Sequence, residues 1–427
     1  MSNFPRQTVL QDPNSPPVNE KLHRKHQTME SILSKEYWQS LCPNLHVCDQ
    51  SFQAKFNPLL IDEKAEETFI DRLDKDGYFE VNESLIKWNQ VISFEDLANS
   101  VVTLMQYGWP PSFLGIYDEA WAIVQQVSTI LKKTTKNEMN MDFLVWYIDP
   151  NNKESGFSPH RDRQPSDTPS TFREDGTAMY TTCWIPFTDA CPDNSCLYLI
   201  PRWADPGYFV GDDDNKDPLQ VALPNKESYQ NIRAIPLSKG SCVIFTHRII
   251  HWGSRGRIGY HTPRIACSFA FSDDKFEHSY LSRDLLPYPD IQFRTALISA
   301  QMLIYYQRFS FSSQELSQFY QLYKSQQAHF HSSYFEKVEF EFVNSVKENT
   351  EKKPVKQKTK EVSSSEENED LLDSALDAML DARYGTFQDD FDEINSDDDF
   401  EQEEEDENES ESNEESLLPP LKKQKKF

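Results

Sequence analysis

The sequence holds no run of 18 uncharged apolar residues, and its opening stretch, MSNFPRQTVLQDPNSPP, has no apolar segment. It therefore predicts neither a membrane-spanning helix nor secretion by the usual route. Cysteine is scarce and unpatterned. The seven residues Cys42, Cys48, Cys183, Cys191, Cys196, Cys242 and Cys267 are odd in number and lack CxxC spacing. A disulfide framework is excluded on that count, and reduced intracellular thiols are expected, in the cytoplasm or the nucleus. Clustered lysine and arginine are also missing from the body of the chain, which argues against a nucleic-acid-binding face, since phosphate contacts need basic clusters.

Acidic charge is plentiful but confined. Of the formal net charge of −27, about −23 sits between Glu366 and Glu415, where 24 Asp and Glu face a single Arg383, so only about −4 is left for the rest. The body is nearly neutral, and at 427 residues in all the chain is long enough for one large domain or two ordinary ones.

Composition divides the chain into three parts. Residues 1–25 are rich in Pro and polar residues and are expected to be disordered. Residues 26–347 are expected to form the folded domain: a mostly helical stretch around 62–131, a β core of about 141–272, and helices over about 288–347. The clearest helical period runs from Phe113 to Leu131 through Tyr117, Ala120, Trp121, Val124 and Val127. Past Asn140 the pattern changes to short β-branched and aromatic runs bounded by Gly, Pro, Asn and Asp, namely MDFLVWYIDP, MYTTCWIPFTDA, CLYLIP, IRAIPL, CVIFTH and RIACSFAFS. Such runs predict a mainly β fold, a jelly roll or double-stranded β-helix of cupin-like type, with helices packed outside. After 288, Leu297, Met302, Leu303, Tyr306, Phe309, Leu316, Tyr320 and Tyr323 are the inward-facing residues expected.

Residues 348–427 lose apolar content and predict a disordered charged tail. Within it, residues 370–384 place Leu372, Leu376, Met379 and Leu380 on one stripe, read either as a transient helix or as a segment that folds on a protein partner. The terminal KKQKK reads as a nuclear import signal beside an acidic partner-binding surface, or as part of a solvating appendage.

The chemistry is carried by three residues. His160 and Asp162 in SGFSPHRDRQP are two apart, so on an extended segment both point to one face and grip one ion together. A lone His-x-Asp is weak evidence. A third ligand comes from GSCVIFTHRIIHWGSRG, expected to be a strand with His251 at its end; His247 competes for the role but lies further from the turn. Two imidazoles and one carboxylate on one face leave three positions open, the set of non-haem iron(II) oxygenases, although zinc fits the same donors. On the next strand Arg264, Ala266 and Ser268 share a face, and a guanidinium there suits the distal carboxylate of 2-oxoglutarate. The bland alternative for Arg264 is a surface ion pair. Tyr180 and Trp146 are candidates for lining the same pocket, against the commoner fate of strand aromatics as core. Arg161 and Arg163 either meet an acidic substrate or neutralise Asp162 and Asp167.

The order DFLVWYIDP, GFSPHRDRQP, TTCWIPFTDACPDNSCLYLIP, GSCVIFTHRIIHWGS and TPRIACSFAF resembles the phytanoyl-CoA dioxygenase family of iron(II) and 2-oxoglutarate oxygenases over about 142–271, and FIDRLDKDGYFEV is similar to that family's N-terminal helix and strand. The resemblance implies iron at His160, Asp162 and His251, the 2-oxoglutarate carboxylate at Arg264, and Trp184 in the co-substrate pocket. It further implies ascorbate as a candidate accessory reductant and a small-molecule or lipid-like substrate. Family halogenases lack the carboxylate ligand, so Asp162 favours hydroxylation. Where the family often has Asn-Gly, this chain has Asn194, Ser195 and Cys196, so a different turn is expected, and the long stretch 164–177 is a lid candidate. Two readings compete: a non-catalytic interaction protein working through the acidic tail, and a zinc-dependent hydrolase on a cupin-like barrel.

Overall fold

The computed structural model describes residues 19–351 apart from 56–58, 60, 87, 89–91, 153, 155, 164–170, 214 and 287. These lie within one compact unit, Met1–Pro354. The readings made for residues 1–18, for most of the lid candidate, for the 370–384 helix and for the acidic tail lie outside the described residues.

Two antiparallel sheets form the centre. Strands β1 (Tyr78–Val81), β2 (Glu138–Ile148), β3 (Tyr180–Pro186), β6 (Cys242–Thr246) and β8 (Arg264–Ser272) make a five-stranded sheet in the order β1-β6-β3-β8-β2. Strands β4 (Leu197–Leu199), β5 (Arg233–Ile235) and β7 (His251–Gly253) make the smaller sheet, β5-β4-β7. Side chains from both sheets meet in one buried cluster that includes Trp184, Val243, Phe245 and Ala266 from the large sheet and Leu197, Leu199 and Ile235 from the small one. Full burial of each large member contributes about 1.5–3 kcal/mol, so this contact holds the two sheets face to face.

Register aligns the inner face. Leu144 of β2 pairs with Ser268, and Ser268 pairs in turn with Trp184, while Trp146 pairs with Ala266. Because side chains alternate across a strand, Arg264, Ala266 and Ser268 point inward and Ile265, Cys267 and Phe269 outward. Helices cover the outer face. At Gly115 a Cβ would fall 2.6 Å from Ile298 of α8 (Ile291–Ile304) and 3.3 Å from Phe143 of β2, so only glycine lets the helix, the turn and the sheet approach this closely.

Three expectations need correction. The fold is not mainly β: the described residues contain ten α-helices beside the eight strands, α1 (Met29–Ile32), α2 (Lys35–Leu41), α3 (Gln50–Gln53), α4 (Glu63–Asp76), α5 (Phe94–Gln106), α6 (Asp118–Thr135), α7 (Pro218–Ala222), α8, α9 (Ser313–Lys324) and α10 (Ser332–Glu351). The periodic stretch from Phe113 is not one helix. A 3₁₀ turn over Pro111–Ile116 is followed by an extended Tyr117, and α6 starts at Asp118, where the His46 carbonyl takes the Asp118 amide. Residues 19–25 belong to the fold, since the buried Arg24 donates to the Gly108 carbonyl and pairs with Glu315. Where the sequence predicted a helix and strand around FIDRLDKDGYFEV, α4 opens on an Asp62 cap, closes on Gly77 at φ +81, and leads directly into β1. All seven cysteines are free thiols. Among the described residues no helix is long and apolar enough to cross a membrane.

Candidate metal centre and cavity

His160 and His251 face each other across a two-residue antiparallel bridge in which each amide donates to the other's carbonyl, at 3.1 and 3.0 Å. That bridge sets their rings 4.3 Å apart, centroid to centroid. Two residues on, the Asp162 amide donates to the His247 carbonyl, and the carboxylate arrives beside both rings: Asp162 Oδ1 is 3.8 Å from His160 Nε2 and 3.6 Å from His251 Nε2. One donor atom from each of the three lies within 4.8 Å of the other two, the only such group of three or more among the described residues.

The outer contacts orient the donors. His160 Nδ1 lies 2.8 Å from the Ser158 carbonyl and His251 Nδ1 lies 3.0 Å from the Ile249 carbonyl. A carbonyl only accepts, so each Nδ1 carries the proton and each Nε2 presents its lone pair to the centre. Thr182 donates its hydroxyl to Asp162 Oδ2 at 2.5 Å and leaves Oδ1 turned inward. Burial, with His251 close by, pushes His160 down to about 3, so the ring is neutral at ordinary pH. For Asp162 burial works upward, but His251, His160 and the Thr182 hydroxyl outweigh it and hold the carboxyl below its usual range. A neutral His160 imidazole beside an ionised carboxylate is what a divalent ion requires of these two donors. The donor set fits iron.

The expected single strand ending at His251 is instead two. β6 stops at Thr246, a turn through His247–Ile249 follows, and His251 begins β7 in the other sheet. His247 does not join the centre. Its Nδ1 lies 3.1 Å from the Tyr180 carbonyl, its buried Nε2 has no hydrogen-bond partner among the described residues, and its ring packs against Phe172 and Phe276.

A cavity of about 160 Å³ opens at the triad, lined among others by Trp146, Thr182, Trp184, Arg264, Ser268 and Arg308. Arg264 is 3% exposed and makes no hydrogen bond or ion pair among the described residues; its guanidinium lies 5.6 Å from the Trp184 ring. Burial pushes it down to about 10, with the Cys196 thiol working the other way. A guanidinium kept in a cavity without a counter-ion is suited to an incoming carboxylate. The surface-pair alternative for Arg264 does not hold.

Tyr180, expected in this pocket, is set back from it. Its hydroxyl lies 3.4 Å from Asp142 and its ring lies under Arg163 at 4.6 Å, as part of a buried network that fills the space behind the cavity. Among the described residues Arg161 and Arg163 form their ion pairs with carboxylates other than Asp162, and Asp167 lies outside the described residues. Arg161 pairs with Asp205 and Asp212, and Arg163 donates to both Glu277 oxygens at 2.7 and 2.8 Å. The turn at Asn194–Ser195 keeps the glycine-like geometry: Ser195 sits at φ +71, and the Asn194 side chain takes the Cys191 amide and donates to the Asp189 carbonyl.

Sequence reasoning missed Phe157, Thr182, Trp252, Tyr305 and Arg308, all of which line the cavity. Thr182 was discoverable, because it shares the inner face with Trp184. Arg308 was not, since it belongs to a 3₁₀ turn, Tyr306–Arg308, that helix packing brings in from about 150 residues beyond the first ligand.

An antiparallel sandwich with a His–Asp–His centre at one end of its inner face defines a mononuclear metal protein of the two-histidine, one-carboxylate class. Residues 117–257 match the family described as phytanoyl-CoA dioxygenase (PhyH), and all three triad residues lie inside that segment. The resemblance drawn from the motifs therefore stands for this part of the chain. No curated protein matches. Among solved structures the chain is similar to SnoN, described as a non-heme alpha ketoglutarate dependent epimerase from nogalamycin biosynthesis, at 16% identity and TM-score 0.35 over 50% of this chain and 84% of that one. AviO1 from Streptomyces viridochromogenes aligns at 14% identity and TM-score 0.38, covering 50% and 97%. EctD from S. alaskensis, crystallised with 2-oxoglutarate and 5-hydroxyectoine, aligns at 12% identity and TM-score 0.36, covering 55% and 85%. At these scores the structural alignments carry no argument about function.

Proposed function

We propose that the protein is an iron(II)- and 2-oxoglutarate-dependent dioxygenase that hydroxylates a small organic or lipid-like molecule. The observation that carries this reading is the pairing, in one cavity, of a three-donor centre with Arg264, which has no counter-ion among the described residues. Bound iron and 2-oxoglutarate would supply the oxidising chemistry, with oxygen reduced as the co-substrate is converted to succinate and carbon dioxide. The chain's own residues bind and orient. His160, Asp162 and His251 hold the metal on one side; Thr182 fixes which Asp162 oxygen faces it. Arg264 takes the distal carboxylate of the co-substrate with Ser268 and Trp184 beside it, and Trp146, Phe157 and Leu197 wall the cavity against water.

The test is succinate release from 2-oxoglutarate by purified protein with iron(II), together with the metal content of His160→Ala and Asp162→Ala. Both variants should lose bound iron and turnover. Full iron retention in both would remove the assignment, and zinc retention without 2-oxoglutarate turnover would identify a hydrolase instead.

A further inference from the structure

We infer that the substrate taken beside the triad carries an O–H or N–H donor on a flat apolar body, and that the phenol oxygen of Tyr305 is the specificity-determining group that accepts it. The inference rests on the reading of the site given above and goes beyond it to the substrate class. Tyr305 follows directly on α8 and lines the cavity. Gln301, one helical turn earlier, donates its side-chain amide to the Met141 carbonyl at 2.5 Å, which fastens the end of α8 to β2 beside Asp142. The Tyr305 hydroxyl then meets Asp142 Oδ2 at 2.7 Å.

Three donors converge on that one carboxylate oxygen. Besides Tyr305 they are the Tyr180 hydroxyl at 3.4 Å and Arg163 Nη2 at 3.7 Å. The direction of the Tyr305 bond does not depend on the charge of Asp142. Oδ1 is buried with no hydrogen-bond partner among the described residues, so it is the oxygen a proton would take, and Oδ2 accepts in either state. Tyr305 therefore commits its single proton to Asp142, and its oxygen keeps only lone pairs for a further contact. The other polar groups of the cavity wall have different duties: Thr182 donates to Asp162, Arg163 gives Nε and Nη2 to Glu277 and Nη1 to the Asp162 carbonyl, and Arg264 anchors the co-substrate. Tyr305 is thus a fixed acceptor, joined to β2, which also supplies Leu144 and Trp146, whereas Arg264 and Trp184 belong to β8 and β3. An alcohol or an amide N–H completes a hydrogen bond there, while an ether or ketone oxygen sets lone pair against lone pair. The apolar walls, Leu144, Trp146, Phe157, Leu197 and Trp252, are mostly flat and select the rest of the molecule.

The experiment uses the full chain loaded with iron(II) and saturating 2-oxoglutarate under anaerobic conditions. Binding of benzyl alcohol is compared by calorimetry with that of benzyl methyl ether, which keeps the oxygen and loses the donor, and 2-oxoglutarate affinity is measured separately. The wild-type protein should bind the alcohol about fivefold more tightly than the ether, the size of one neutral hydrogen bond. Tyr305→Phe keeps the ring and removes the acceptor, so it should bring the two ligands within about twofold of each other while changing 2-oxoglutarate affinity less than about threefold. Tyr180→Phe removes the other phenol from the same carboxylate behind the cavity and should leave the preference in place. Retained 2-oxoglutarate binding also shows that each variant is folded. The inference is overturned by a wild type that binds alcohol and ether alike or binds neither, by a preference that survives Tyr305→Phe, or by one that Tyr180→Phe abolishes equally. Failure of wild type to bind 2-oxoglutarate at all would instead bring down the reading of the site on which it rests.

Discussion

Thr182 donates its hydroxyl to the Oδ2 of Asp162 at 2.5 Å, across from the two histidines that share the same carboxylate. One strand residue on the large sheet thereby decides which oxygen the centre uses. Thr182→Val keeps the shape of the side chain and removes the donor. Outer contacts of this kind are worth about 10–100-fold in metal affinity, so an iron titration of the variant should show a loss in that range with little change in melting temperature. Unchanged affinity would mean that the backbone alone orients Asp162.

Histidine 247 is buried and neutral, pushed down to about 3 chiefly by burial, with Arg248 adding to it. Its unfolded counterpart takes a proton near 6.5. Between those values the unfolded chain binds a proton that the folded one refuses. The sign is thus a stability that is intact above about pH 6.5 and falls as pH drops, by at most about 1.4 kcal/mol per unit from this residue. Urea denaturation of wild type and His247→Phe at pH 7 and pH 5 should show a smaller pH-dependent loss in the variant. Iron content at pH 7 should be the same in both, since His247 is not a ligand.

Arg161 sits between the two motif ligands, and its side chain is 1% exposed while it grips Asp205 at 2.5 Å and Asp212 at 2.7 Å. Replacing it by Leu takes the guanidinium away from two carboxylates, one of them equally buried. Breaking a buried pair from one side costs about 3–5 kcal/mol, so Arg161→Leu should lower the melting temperature by many degrees. The double variant Arg161→Leu/Asp205→Asn should recover part of that loss. Absence of any recovery would show that the cost lies in packing and not in charge.

Gly156 and Gly253 touch backbone to backbone: a Cβ on Gly156 would stand 2.5 Å from the Gly253 Cα, and one on Gly253 2.7 Å from the Gly156 Cα. This contact presses the segment leading to His160 onto β7, which starts at His251. Gly156→Ala must push them apart, at about 1–3 kcal/mol for overpacking. The measurable outcome is weaker iron binding together with lower stability, whereas Gly176→Ala, with open space around it but φ +82, should affect stability only.

The sequence made the ligands legible because their chemistry is local: a His-x-Asp on extended chain and a histidine next to a Gly-Ser turn each constrain a few neighbouring residues. The face shared by Arg264 and Ser268 was equally readable from strand alternation. What the chain concealed was set by tertiary packing. The helix expected from Phe113 breaks at an extended Tyr117, next to a turn where Gly115 packs closely against Ile298 and Phe143, residues far away in sequence. Tyr180 looked like a pocket residue on its own strand, but Asp142 and Arg163 draw it into a buried network. Arg308 had no local signature at all.

The bridge between His160 and His251 joins positions 91 residues apart in the chain. Everything between them, including β3, β4, β5 and β6, must be in place before the two imidazoles can meet. A partly built chain can offer at most a single imidazole and a carboxylate, a poor chelate. Metal capture therefore reports on completed assembly: in refolding, iron uptake should trail the formation of the sandwich, and any lesion that slows closure of this long loop should appear first as an empty centre in an otherwise collapsed protein.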